Sequence, residues 1–504
     1  MTNRRGFLKN IALTAGGFSL LSIDDIKAEE VVVESKLNEG GFSGYNTIVI
    51  NGKVQVGAIG VANVVVSDGI QVVKTNSKGE FNFVTSTKSN FVFLSIPAGY
   101  EIKKQKNGAA DFFYRIDKSK SQQTVSFQLD KLKESDLTHH FIVWADPQIQ
   151  KEDEAAMLLA ETVPDTIETI KSLPSKNVFG IGCGDLVWDR HDLFESYNQA
   201  VLNTGIPFFQ VFGNHDADLE QRSDEYSTTT FNKMYGPQYY SFNRGLVHYI
   251  VLDNVFFIGK GKEYIGYITE EQLAWLERDL QFVPKGSTVV VAQHIPSYTN
   301  FFERNPQSSS MGAMVNNREH LYKILADYKV HMMSGHTHFN ENIVLKDNLY
   351  EHCHGTVCGA WWSGPICFDG TPGGYGVYSV SGADIQWYYK GTGLDKNVQF
   401  RVYKPNEAKD FKGSWCVNIW NWDPEWKAYY YEDGVRKGDL VQVTGRDPLS
   451  VKLHEGPKLP ERRKWVEPEL TDHLFLFNPT KGCKQVRVDV VDRFGRVYSE
   501  SLIV

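Results

Sequence analysis

The sequence predicts a layered α/β domain with a β-rich region on either side of it. Three observations carry that expectation. Between about residues 138 and 391, short apolar runs alternate with helix-period stretches, as strands and covering helices do. Before and after it, short strand-like runs separated by Gly- and Asn-containing turns predominate. Five apolar runs in the middle region end in Asp, Asn, Gln or His, and in open α/β sheets the carboxyl ends of strands are where ligands bind.

Composition bounds the rest. A chain of 504 residues is expected to form two to four domains. Its 41% hydrophobic and 23% charged residues are those of an ordinary globular protein. The net charge of −8 argues against a nucleic-acid-binding surface and suits an anionic membrane surface poorly.

The chain opens with Arg4-Arg5-Gly6-Phe7-Leu8-Lys9, followed by Ile11-Ala12-Leu13 and an apolar stretch from Phe18 to Ile23. That stretch is too short to span a bilayer and is preceded by two glycines. Residues 1–29 resemble a twin-arginine signal, which exports proteins already folded. The expectation is an exported protein, periplasmic or in the cell envelope, with no transmembrane segment once the signal is removed.

Residues 30–131 read as a small β-sandwich. Thr47–Ile50, Ala62–Val66, Val72–Thr75, Phe81–Val84 and Phe91–Leu94 are strand-like, and Asn51-Gly52, Asp68-Gly69 and Lys78-Gly79 punctuate them. The block resembles the transthyretin-like modules placed ahead of exported phosphoesterases, and a supporting role is its expected one. A charged linker, Lys131–Leu137, follows.

In the central region, residues 138–391, Glu154–Leu173 is expected to be helical with an interruption at Pro164. Thr269-Glu270-Glu271-Gln272 is a capping box opening a helix with Leu273, Leu276 and Leu280 on one face. Arg318–Tyr328 is a further helix, and strands at Tyr375–Tyr378 and Ile385–Tyr389 close the domain. Beyond 393 the chain is β-like to residue 504, with strands expected at Trp415–Trp422, Ala428–Tyr431, Val441–Val443, Gln485–Val491 and Arg496–Val504. Trp415, Trp420, Trp422 and Trp426 read as β core rather than a ligand platform. Cys353, Cys358 and Cys367 lie close together beside His352 and His354. Their spacing matches no paired-Cys zinc motif, so buried thiols or one disulfide are expected.

The chemistry sits at the five strand ends. They are Asp146-Pro147-Gln148, Gly184-Asp185, Gly213-Asn214-His215-Asp216, His294 and Gly335-His336-Thr337-His338. In order and in residue type this set resembles the calcineurin-like metallophosphoesterases, whose pattern is Asp-x-His, Gly-Asp, Gly-Asn-His-(Asp/Glu), a lone His and Gly-His-x-His. The resemblance covers about residues 138–391.

The resemblance implies a central four-layer β-sandwich flanked by helices and two divalent metal ions (Mn, Fe, Zn or Mg). Asp185 would bridge them, with Asp146, Gln148 and His338 on one ion and Asn214, His294 and His336 on the other. A hydroxide between the two would attack phosphorus. His215 would assist the leaving oxygen, and Asp216 would orient His215 and raise its pKa. Gln148 departs from the family's usual His. An amide oxygen is a weaker ligand and shifts preference toward oxygen-loving ions.

Asp189 reads either as support for a ligand or as a plain turn. Arg190, Tyr298 and Arg304 are the expected substrate contacts. Trp188, Trp361 and Trp362 could wall a pocket, and the polar insertion Asn300–Asn316 could cap the substrate. The function expected is an exported phosphoesterase leaning to diesters. Its substrate would be a phosphorylated small molecule or an envelope polymer. The alternatives are a phosphomonoesterase for nucleotides or sugar phosphates, and a surface binding protein with an impaired metal site.

Overall fold

The computed structural model describes residues 45–259 and 262–504; the expected signal, residues 1–29, lies outside the described residues. The central domain is built on two sheets. The first has five strands in the order Phe208–Val211, Val178–Cys183, Thr138–Trp144, Gly374–Ser381 and Asp384–Gly391. Its first three strands are parallel; the fourth runs against the third, and the fifth against the fourth. The second has six, in the order Tyr240–Arg244, Val247–Val251, Thr288–Ala292, Lys329–Ser334, Leu349–Cys353 and Glu341–Lys346.

Side-chain alternation explains the layering. Along a strand, successive residues face opposite sides. Phe141, Val143, Phe179, Ile181, Phe209 and Val211 share one buried cluster with Tyr249, Val251, Val289, Val291 and Met332 of the second sheet. Ile142, Trp144 and Phe208 point the other way, into a cluster with Phe194, Tyr197 and Val201 of helix Phe194–Thr204. The second sheet carries helices Glu270–Leu280 and Arg318–Ile324, whose Trp275, Leu276 and Leu321 are buried with it. This is the helix–sheet–sheet–helix arrangement the sequence leads one to expect.

Two local signals act as read. The Thr269 hydroxyl accepts the Gln272 N–H at 3.4 Å, capping helix Glu270–Leu280. Near Pro164 the helix does not end; it widens into a π turn over Leu158–Thr162 between helical segments Glu152–Met157 and Val163–Ser172. Proline has no N–H to return to the preceding turn, and the wider turn absorbs the loss.

The N-terminal region forms two four-stranded sheets, one holding Thr47–Val56, Glu80–Ser86 and Gln122–Gln128, the other Val65–Ser67 and Phe91–Leu94. It shares its core with the central domain. Phe112 lies 4.5 Å from Tyr240 and 6.0 Å from Phe209 between ring centroids, and Trp275 donates its indole N–H to Ser67. The C-terminal region also has two four-stranded sheets, with Trp415, Trp426, Phe475 and Phe477 buried between them and Trp420 buried elsewhere. Strand Leu470–Phe477, in the middle of one sheet, escapes sequence analysis because its first half, Leu470-Thr471-Asp472-His473, reads as polar loop. The six cysteines are all unpaired, and five are buried. Among the described residues no helix is long and apolar enough to cross a membrane.

Candidate metal centre

The five strand ends meet at one edge of the two-sheet core. Asp185, His294 and His336 place ligand atoms within 4.8 Å of one another. His294 Nε2 lies 3.3 Å from Asp185 Oδ1, 3.1 Å from Asn214 Oδ1 and 3.2 Å from His336 Nδ1. His338 Nε2 stands 3.8 Å from Asp146 Oδ1, and the Gln148 amide donates to Asp185 Oδ2 at 3.1 Å. All seven residues that the family resemblance names as ligands are therefore in one cluster.

The chain holds these groups by their far sides. His294 Nδ1 donates to the Cys183 carbonyl at 3.0 Å and His338 Nδ1 to the Gly359 carbonyl at 2.9 Å, which leaves Nε2 of each as the free donor atom. The His336 N–H donates to Asp146 Oδ2 and the His215 N–H to Asp185 Oδ1. Side chains are excluded at two glycines. A Cβ on Gly213 would lie 2.0 Å from the Asp185 nitrogen, and one on Gly335 would lie 2.2 Å from Asp146 Oδ2. The backbone is strained to match. Asp146, Gln148, Asp185, Asp189, His336 and His338 all have φ between 44° and 71°. Such conformations cost on the order of 1–3 kcal/mol each and gather at functional sites.

The electrostatics fit cations. Burial pushes the Asp146 carboxyl up to about 7, against the opposing charge of His294. Its Oδ1 is buried with no hydrogen-bond partner, a costly arrangement unless something else meets it. Burial also lowers His336 to about 3 and His338 to about 4, which keeps both imidazoles neutral and able to ligate. Burial would lower His294 too, but the Asp185 carboxylate outweighs it and lifts His294 to about 9. A cation would take the place of that proton. Carboxylates, imidazoles and amide oxygens are the donors that divalent Mn, Fe, Zn and Mg use.

His215 sits at the rim. Its Nδ1 donates to Asp189 Oδ1 at 2.8 Å, and Asp189 also pairs with Lys262. Burial alone would raise the Asp189 carboxyl; the hydrogen bonds from His215 and Lys262 outweigh it and hold it below the usual value. Trp188 flanks His215 with ring centroids 5.4 Å apart.

The geometry corrects two sequence expectations, the roles of Asp216 and Arg304. Asp216 does not orient the His215 ring. It is fully buried, and its carboxylate accepts N–H groups of Leu186, Val187 and Gly213, tying two strand-end loops together. Asp189 occupies the place beside the imidazole. Arg304 is buried rather than open to substrate, pairing with Glu341 at 2.5 Å and Asp472 at 3.4 Å. The Arg190 guanidinium is taken up by Asp192 and Glu152, and the Tyr298 hydroxyl by Glu303. Trp465, an exposed residue of the C-terminal region, also stands at the rim, 4.8 Å from Trp361 and 6.3 Å from Trp188 between centroids. Nothing in its local sequence marks it; only the fold brings it to the centre.

Two sheets that deliver Asp, Asn, Gln and His from five strand ends to one buried cluster define a metallophosphoesterase. Sequence models of that class match almost throughout. "N terminal of Calcineurin-like phosphoesterase" matches residues 48–132, "Calcineurin-like phosphoesterase" residues 139–340, and "C terminal of Calcineurin-like phosphoesterase" residues 351–498. The chain belongs to the calcineurin-like phosphoesterase family.

Among known proteins, it is 26% identical over 190 residues to a probable glycerophosphodiester phosphodiesterase of Arcobacter nitrofigilis, covering 36% of this chain and 64% of that one. It is 26% identical over 152 residues to purple acid phosphatase 15 of Arabidopsis thaliana, covering 28% and 26%. The chain thus spans less than two thirds of either relative. A dimetal phosphatase structure from Danio rerio aligns with 51% of this chain and 96% of its own, at 14% identity and a TM-score of 0.36.

Proposed function

We propose that the protein is an exported phosphoesterase with a preference for diesters. In this reading two cations would be held by these seven residues, Asp185 serving both, Asp146, Gln148 and His338 one, and Asn214, His294 and His336 the other. Cations bound there would supply Lewis acidity to the phosphoryl oxygens and acidify a water nucleophile. The chain's own part is proton transfer. With Nδ1–H committed to Asp189, a protonated His215 presents its second proton on Nε2, and delivers it to the departing ester oxygen. The carboxylate of Asp189 stabilises that imidazolium in the orientation it needs.

The observation that carries the reading is the His215–Asp189 pair, set on the same backbone that ties His215 to Asp185. The twin-arginine-like opening supports export, and the partial likeness to a probable glycerophosphodiester phosphodiesterase supports the diester preference. The substrate would be a phosphorylated small molecule or an envelope polymer. The test is hydrolysis of bis-p-nitrophenyl phosphate beside p-nitrophenyl phosphate, with Mn²⁺-loaded protein and with Asp185→Asn. The diester is expected to turn over faster, and both activities to vanish in the variant. Faster monoester turnover would replace diesterase by phosphomonoesterase, and undiminished activity in Asp185→Asn would sink the metal reading.

A further inference from the structure

Next to the metal centre, on the side of His336, lies a pocket of about 180 Å³. Its walls come from three separate parts of the chain. Tyr264, His336, Phe339 and Phe368 belong to the central domain, Phe301 opens the insertion after His294, and Glu469 comes from the C-terminal region. The pocket is framed by contacts between these parts. The insertion is tied to the C-terminal region by Asn300, which donates to Asp472 at 3.1 Å, and by Arg304. Arg304 in turn lies over the Phe339 ring, 4.4 Å from its centroid.

Three features describe the occupant. The lining is mainly aromatic and apolar, which suits a flat ring and suits a polyol or a bare phosphate poorly. The volume is well below the roughly 300–1,000 Å³ of drug-sized ligand sites, so it takes one ring and not a polymer segment. Glu469 is the one acidic side chain in the lining, and its charge disfavours a second phosphate or a carboxylate on the ring. His336 is shared with the metal cluster, so the pocket adjoins the centre at which an ester would react.

We propose that this pocket is the specificity site for the alcohol part of the ester, and that this part carries one uncharged planar ring. The inference rests on ester hydrolysis at the adjoining centre and adds the class of substrate to it. It also distinguishes this chain from an enzyme built for glycerol esters, whose alcohol is small, flexible and polar.

The test compares phenyl and methyl phosphate esters, in whichever of the mono- or diester series the parent hydrolyses faster. Phe301 is the residue to change, since it is half-buried at the mouth and ligates nothing. In Phe301→Ala the phenyl-to-methyl ratio of kcat/KM should fall roughly 5- to 150-fold, the range of a lost aromatic stacking partner, mostly through KM. In Phe301→Tyr it should recover. An unchanged ratio, or equal losses on both esters, would overturn the proposal. Saturation-transfer NMR with phenol reads the pocket without turnover. Transfer in the parent that is lost in Phe301→Ala supports it; no transfer in the parent overturns it. A parent that hydrolyses neither ester would fault the hydrolytic reading alone, and the phenol experiment would still decide the pocket.

Discussion

Replacing Asp189 by Asn leaves the shape of the His215 environment nearly unchanged and removes the charge that faces the imidazolium. The bond lost is the 2.8 Å contact from Nδ1 to a carboxylate, between side chains only 22% and 12% exposed. Hydrogen bonds to a charged group contribute about 1.5–3 kcal/mol, and these groups are shielded well enough from solvent for that range to apply. At 1.4 kcal/mol per tenfold, kcat should fall roughly 10- to 150-fold. His215→Ala removes the acid itself and should cost more, on the order of 10²–10⁴.

The leaving group provides the internal control. A p-nitrophenolate departs with little protonation, whereas an alkoxide needs the proton. Both variants should therefore lose more on an alkyl ester than on a p-nitrophenyl ester. Steady-state kinetics of the parent and the two variants on both substrates make the comparison. Equal losses on the two esters would mean that His215 binds phosphate rather than transferring a proton. Parental rates in Asp189→Asn would refute the pairing argument altogether.

Three further outcomes are expected. Phe112→Ala in the N-terminal region should destabilise the whole chain by about 3–5 kcal/mol in one cooperative transition, since Phe112 is packed against Phe209 and Tyr240; a separate early transition in calorimetry would show two independent cores. Glu351 is raised by burial from 4.5 to about 7. Between those values the unfolded chain gives up a proton that the folded protein keeps, so stability should fall by about 3 kcal/mol as pH rises through the window. Glu351→Gln should flatten that part of the stability–pH curve, and an unchanged slope would remove Glu351 as its source. Stripping divalent cations with a chelator should lower Tm, and returning them at about 100 times their Kd should restore about 2.7 kcal/mol; a Tm indifferent to chelation would mean that the centre binds no cation with useful affinity.

The layered centre was legible because strand periodicity and strand-end residue type are local properties. Phe208–Phe212 followed by Gly213-Asn214-His215-Asp216 announces a buried strand emptying into a polar loop, and the structure puts it there. What the sequence hides is pairing across the chain. Asp216 adjoins His215, and adjacency made it the natural partner. The turn over Asn214–Asp216 instead sends the Asp216 carboxylate inward to three backbone N–H groups, while Asp189, 26 residues away, swings in at positive φ.

Arg304 reads as a solvent-facing cation because its partners, Glu341 and Asp472, lie 37 and 168 residues downstream. The shared core of the N-terminal and central regions is invisible for the same reason. Phe112 lies outside any strand, just before Phe113–Arg115, and nothing local says that its partner is Tyr240. Trp465 and Glu469 belong to a segment without regular structure, so no periodicity could place them beside the centre.

The central claim is that one ligand set centred on Asp185 holds two cations. Calorimetric titration of chelator-stripped protein with Mn²⁺, alongside Asp185→Asn, addresses it directly. Two equivalents per chain in the parent, with both weakened in Asp185→Asn because the shared carboxylate serves both sites, is the expected result. A single equivalent in the parent, or two equivalents undisturbed in Asp185→Asn, would contradict it.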